Sequence, residues 1–191
     1  IRVLVAELER IHSHLLWLGV AAHEIGFDTL FMYSWRDREA VLDVLAELGG
    51  NRVNYAINTL GGVRRDVDSV MLENILKMAD KLEEQLTFYH ELAMTDLSLA
   101  ARLSGIGKLT REEVLKYGAV GPVARAAGIP DDVRVLEPYA AYSEIPVTPV
   151  TDTHEDVFGR TVVRILEMIE SLKIIRFCVK NLPDGEIAVK V

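Results

Sequence analysis

Six residues near the start of the chain, Glu7, Arg10, His14, Trp17, Ala21 and Glu24, recur at steps of three and four. On a helix this spacing places them along one face. Two carboxylates, a guanidinium and an imidazole in one line have the chemistry of a proton relay or of a buried ion-pair network, because the imidazole exchanges protons near neutral pH. The same pattern on an outward face is an ordinary solvated stripe; Trp17 in its midst favours partial burial. His12 and His23 lie off the line, and no second ligand stands at a metal-binding spacing, so no metal site is assigned there.

Two further segments carry candidate chemistry. Gly61-Gly62-Val63-Arg64-Arg65-Asp66 is a glycine-rich turn with two cations before a helical pattern. It reads either as a backbone anion cradle or as a plain turn with Arg64 and Arg65 paired to Asp66 and Asp68. Between Gly118 and Arg134, glycine and proline permit close backbone packing, and Arg125 and Arg134 stand near Asp131 and Asp132 as candidate ion pairs. Neither dinucleotide nor P-loop glycine patterns occur, and no nucleophile–base constellation follows from spacing.

The elements that must position these residues are helical. Leu4, Leu8, Ile11, Leu15, Leu18, Ala22 and Ile25 form one apolar stripe, with Gly26 as a stop. Phe27 to Tyr33 lacks helical period and reads as a buried connector or short extended piece; Trp35 to Leu48 is helical again, ended by Gly49-Gly50. Asn51 to Val63 reads as a connector. Asp68 opens a long helix to about Thr95, with Leu72, Ile75, Leu76, Ala79, Leu82, Leu86, Tyr89 and Ala93 on its apolar face. Shorter helices are expected at Asp96–Leu103 and Thr110–Tyr117, the latter with a Thr110/Glu113 capping box. Residues 118–153 hold five of the six prolines and read as an irregular, functional or interface-forming insert without long helices. A last helix spans about Glu155 to Asn181; apolar on two sides, it is expected at the bundle centre. Glu186 to Val191 alternates weakly, as a short strand would. The fold class is therefore mainly α: one helical domain over 1–191, a bundle with long central helices, an irregular insert and a possible short strand at the C-terminal end.

Composition bounds the function. With Lys+Arg 21 against Asp+Glu 29, the net charge is −8, which argues against nucleic acid as a partner. One cysteine, Cys178, excludes an internal disulfide and a cysteine cage within these residues and fits a reducing compartment. No apolar run is long enough to span a bilayer. A helical pattern beginning at once on Ile1 reads as a piece of a longer protein.

The motifs, taken in order, resemble one family. Glu-Leu-Glu-Arg-Ile-His-Ser-His-Leu-Leu (7–16), Trp35-Arg36-Asp37-Arg38-Glu39, Gly49–Val53 with Gly61-Gly62-Val63-Arg64, Gly121-Pro122 with Arg125, Gly128, Asp132 and Arg134, Pro138-Tyr139 with Tyr142, Asp156 with Arg160, and Asn181-Leu182-Pro183-Asp184-Gly185 are similar to segments of the 49 kDa subunit of respiratory complex I. They are equally similar to the large subunits of membrane-bound, energy-converting NiFe hydrogenases. The resemblance implies the catalytic-type large subunit of a membrane-associated redox complex, an NAD-linked quinone oxidoreductase or a hydrogenase, on the cytoplasmic side of a membrane. Electron transfer there is coupled to ion translocation.

The resemblance also implies what is missing. The two Cys-x-x-Cys pairs of the hydrogenases and the quinone-head His and Tyr of complex I fall on segments outside this chain. No cofactor or metal is therefore expected in these residues. Nickel–iron or quinone belongs to the full subunit and iron–sulfur clusters to partners: a small iron–sulfur subunit, beside membrane subunits. By the same resemblance Glu7, Arg10, His14 and Glu24 are candidate proton-relay or cavity residues; at Glu24 complex I has an Asp, one methylene shorter. Arg64, Arg125, Arg134, Asp156 and Arg160 would brace the cavity and the contact with the iron–sulfur subunit, and Cys178 is a core cysteine. The other reading is a related subunit that has lost its cysteines and serves only as a docking scaffold.

Overall fold

A computed structural model describes residues 1–189; Lys190 and Val191 lie outside the described residues. The order is α1 Arg2–Glu24, α2 Asp28–Gly49, β1 Asn58–Thr59, β2 Gly62–Val63, α3 Ser69–Thr95, α4 Leu97–Leu103, α5 Arg111–Tyr117, α6 Pro122–Arg125, α7 Val133–Leu136, a 3₁₀ turn at Tyr142–Glu144, and α8 Val157–Lys180. The protein is mainly α. Its contacts group into two compact units, Ile1–Glu83 with Ser171–Val191, and Glu84–Glu170.

In the first unit, α1 buries Leu4, Leu8, Ile11, Leu15, Leu18 and Ala22, the stripe read from the sequence. Gly26, at φ 76°, turns the chain after it. The connector expected at 27–33 is instead the start of α2. Its buried face runs Leu30, Ser34, Asp37, Val41, Leu45 and Leu48; within 28–34 one of the two buried positions is polar Ser34 while Met32 and Tyr33 are exposed, which hid the period. His12 meets Arg38 and Gly19 lies against Trp35, so α1 and α2 run antiparallel. A Cβ on Gly19 would sit 2.5 Å from Trp35 Cδ1, which makes glycine the residue that lets the helices approach. Gly50 closes α2 in the left-handed conformation.

The 51–63 connector contains a hairpin with Asn58 opposite Val63 and Thr59 opposite Gly62. Gly62 also bridges antiparallel to Ala188, and Val63 N donates to Ile187 O at 3.0 Å. The expected C-terminal strand is thus a single bridge as far as the described residues go. Arg2 donates to the carbonyls of Thr59 and Gly62 at 2.9 and 2.7 Å, tying α1 to this hairpin. Asp68 caps α3 by accepting from Met71 N at 2.8 Å, and Arg176 of α8 bridges Asp80 and Glu83 of α3 at 2.9 and 2.8 Å.

In the second unit, Leu86, Tyr89 and Ala93 of α3 are buried. Asp96 caps α4, and Thr110 with Glu113 forms the expected capping box of α5. Between 118 and 153 no helix exceeds four residues, because the prolines and glycines interrupt each run. A small core of Val114, Ala124, Ala127 and Ile129 holds this segment. Glu155 takes φ 62°, unusual for a residue with a side chain. It is held by Glu155 N to Ala126 O at 3.0 Å, Leu109 N to Glu155 O at 2.7 Å, and Arg111 N to its own Oε1 at 3.0 Å.

Candidate functional site

The α1 stripe divides. Glu7 is fully buried, and its Oε2 accepts from Ser171 Oγ of α8 at 2.5 Å. Arg10 Nε lies 3.4 Å from the same oxygen, one helical turn on, with its side chain about a fifth exposed at 21%. His14, one further turn along, is buried. Trp17 is half-buried beside them. Glu24, at the end of α1, is exposed and apart from this cluster. The structure therefore gathers Glu7 and Arg10 around Ser171 and leaves Glu24 out. A buried carboxylate with one hydroxyl donor and one guanidinium can hold charge or pass a proton, provided its donors stay in place.

A second polar contact on the α1–α2 face went unseen in the sequence. Arg38 donates to His12 Nε2 at 2.6 Å while its guanidinium lies 5.4 Å from the Trp35 ring centre. Burial, then the Arg38 charge, holds His12 below the usual histidine range, so the ring is the neutral acceptor. Cys178 sits half-buried within α8, and burial pushes its thiol up to about 11.

In the second unit the candidate arginines are buried and paired. Arg134, fully buried, grips Asp132 with Nε at 3.0 and 3.2 Å and Nη2 at 2.7 Å. Asp132 is thereby held below the usual aspartate range, against the opposing effect of its burial. Arg125 binds Glu167 of α8 through Nε and the Asp131 carbonyl through Nη1 at 2.8 Å. Its acidic partner is thus 42 residues on rather than in the neighbouring Asp131–Asp132 pair. Asp156 accepts from Gly105 N and Gly159 N at 2.7 and 3.0 Å and so pins the loop after α4 to the start of α8. Arg160 donates to Gly107 O at 2.7 Å on that loop.

Arg64 is exposed, and its backbone N–H donates to Ile57 O at 2.8 Å. The pairs expected from Arg64 and Arg65 to Asp66 and Asp68 do not form among the described residues. Asp66 accepts from Val67 N and Asp68 caps α3, which leaves their carboxylates committed to backbone. Ser171 and Glu167 are the partners that local spacing could not supply, since each meets its mate across the fold.

Residues 24–191 match the family described as the respiratory-chain NADH dehydrogenase 49 kDa subunit. The chain belongs to that family. It is 42% identical over 194 residues to the alpha subunit of the membrane-bound hydrogenase of Pyrococcus furiosus, covering 98% of this chain and 45% of that one. It is 39% identical to a subunit of the F(420)H(2) dehydrogenase of Methanosarcina mazei, covering 98% of this chain and 50% of the relative. With a subunit of the NADH-quinone oxidoreductase of Acidothermus cellulolyticus the identity is 38%, over 100% of this chain and 43% of the relative. The chain spans about half the length of these relatives or less.

The residues present do not fit a nickel–iron centre. Such a centre takes thiolates, and the chain has one cysteine, whose buried thiol resists ionisation. Among the described residues no three His, Cys, Asp or Glu side chains converge as a metal site, and no helix is long and apolar enough to cross a membrane.

Proposed function

We propose that this chain is the helical body of the large subunit of a membrane-associated oxidoreductase complex, of the hydrogenase or the quinone-reductase type, coupling electron transfer to ion movement. The full subunit would carry the reaction centre on segments outside these residues, would sit on the cytoplasmic side of the membrane, and would contact a small iron–sulfur subunit. The observation that carries the reading is the Glu7–Arg10–Ser171 cluster, in which an ionisable side chain, Glu7, is fully buried inside a segment whose motif order matches both branches. A carboxylate is costly to bury, and a proton route is a use that repays the cost.

The test uses the intact complex purified through the full-length subunit. Hydrogen evolution from a reduced viologen and reduction of a soluble quinone are measured on wild type and Glu7→Gln. One of the two activities is expected. It should fall by about a hundredfold in Glu7→Gln if proton delivery passes through Glu7, with KM little changed. Absence of both activities overturns the redox reading; full activity in an assembled Glu7→Gln complex withdraws Glu7 from it.

A further inference from the structure

The α1–α2 pair is fastened by a contact that one proton undoes. Arg38 of α2 donates from Nη2 to His12 Nε2 of α1 at 2.6 Å. A guanidinium keeps its protons in a protein, so His12 is the acceptor, neutral at Nε2 and carrying its own hydrogen on Nδ1. Among the described residues this is the one hydrogen bond that Arg38 makes, and its Nε is buried without a partner. The acids beside it on α2 are held by other arginines, Asp37 by Arg36 and Glu39 by Arg52. Arg38 also lies over Trp35, 5.4 Å from the ring centre, and so joins His12 to the ring that packs on Gly19.

Protonation changes what His12 can do. The imidazolium donates from both nitrogens and accepts at neither, so the same contact would set two cations 2.6 Å apart. An acceptor for the protonated ring stands on its own helix. Glu9 is exposed and three positions earlier on α1, a spacing that makes the two side chains neighbours. Arg38 and Glu9 are the charged groups that face His12 among the described residues. From the 51–63 connector Tyr55 stands beside Glu9; burial, then the Glu9 charge, pushes its phenol up to about 12, so it stays neutral. Burial, then the Arg38 charge, holds His12 below the usual histidine range, with Glu9 acting the other way.

We propose that His12 is a pH-operated latch between α1 and α2: neutral, it accepts from Arg38 across the helix pair; protonated, it releases Arg38 and turns to Glu9 on its own helix. Because the folded ring resists protonation, the latch contributes its whole stability above pH 6.5, the ordinary histidine value, and loses it as pH falls through the lower folded value. The device is independent of the redox reading.

Diethyl pyrocarbonate attacks the neutral imidazole, so its rate at His12 against pH, read by tandem mass spectrometry on the full-length protein, gives the titration of that ring. The midpoint should lie below 6.5. Arg38→Met removes the facing cation and should raise it; Glu9→Gln removes the alternative acceptor and should lower it. Thermal melting then separates a latch from an inert contact. His12→Gln keeps an acceptor that does not titrate. Between about pH 7.5 and about pH 5.5, on either side of the ordinary histidine value, wild type should lose more in Tm than His12→Gln does. A His12 midpoint at or above 6.5, a midpoint unmoved in Arg38→Met or in Glu9→Gln, or an equal loss of Tm in wild type and His12→Gln overturns the proposal.

Discussion

Glu7 shows how much one side chain can depend on residues far away in sequence. Its carboxyl is fully buried and held by Ser171, 164 residues on, and by Arg10. Glu7→Ala should leave Ser171 Oγ without its acceptor and Arg10 without its counter-charge. The expected loss is about 1–3 kcal/mol, at the modest end for a buried pair because Arg10 still reaches water. Urea unfolding followed by circular dichroism reads this, and a loss no larger than that of a surface Glu→Ala change would show the contact to be incidental. Cys178 gives a sharper chemical readout. With its thiol pushed up to about 11 by burial, it should be alkylated by iodoacetamide at pH 8 roughly a hundredfold more slowly than a free cysteine. The sign for stability follows from linkage. The unfolded thiol ionises near pH 8.5 and the folded one near 11, so this contribution is whole below about pH 8.5 and fades as pH rises between those values. An alkylation rate that levels off by pH 9 would refute the shift.

At the scale of elements, local pattern was legible where a rule acts over a few residues. The α1 stripe, the helix opened by Asp68 and the Thr110/Glu113 box follow from period and capping chemistry alone. The start of α2 was not legible, since Ser34 fills a buried position that an apolar count passes over while apolar Met32 and Tyr33 face outward. Pairs such as Arg125–Glu167 were not legible either, because side chains dozens of residues apart meet only through the fold. The α1–α2 crossing carries its own prediction. Gly19→Ala would raise helix propensity by about 1 kcal/mol, the usual gain over glycine. Its new methyl would lie 2.5 Å from Trp35 Cδ1 and 2.6 Å from Ser34 Oγ, contacts that force the helices apart. Overpacking should win, with a net loss of about 1–3 kcal/mol and a lower Tm. A stabilised Gly19→Ala protein in a thermal melt would mean that Trp35 swings aside freely.

For the whole molecule, the family was legible because its motifs stand in order along nearly the full length. No reaction chemistry was legible with it, and these residues span about half of their relatives or less. What the chain does contain is a buried carboxylate cluster in one unit and two buried arginine–carboxylate pairs in the other. Supporting residues orient a centre but do not bind it, since metal affinity resides in the ligands themselves and their neighbours tune it. A nickel–iron site built on thiolates has one candidate here, and burial near the C-terminal end of α8 pushes the Cys178 thiol up to about 11. The 191-residue chain, purified by itself, is therefore expected to hold no stoichiometric nickel or iron and to show neither hydrogenase nor quinone-reductase activity. Elemental analysis after dialysis against a chelator decides it. One nickel per chain surviving that dialysis would require a ligand set drawn from histidines and carboxylates, and would move the reaction centre into this body.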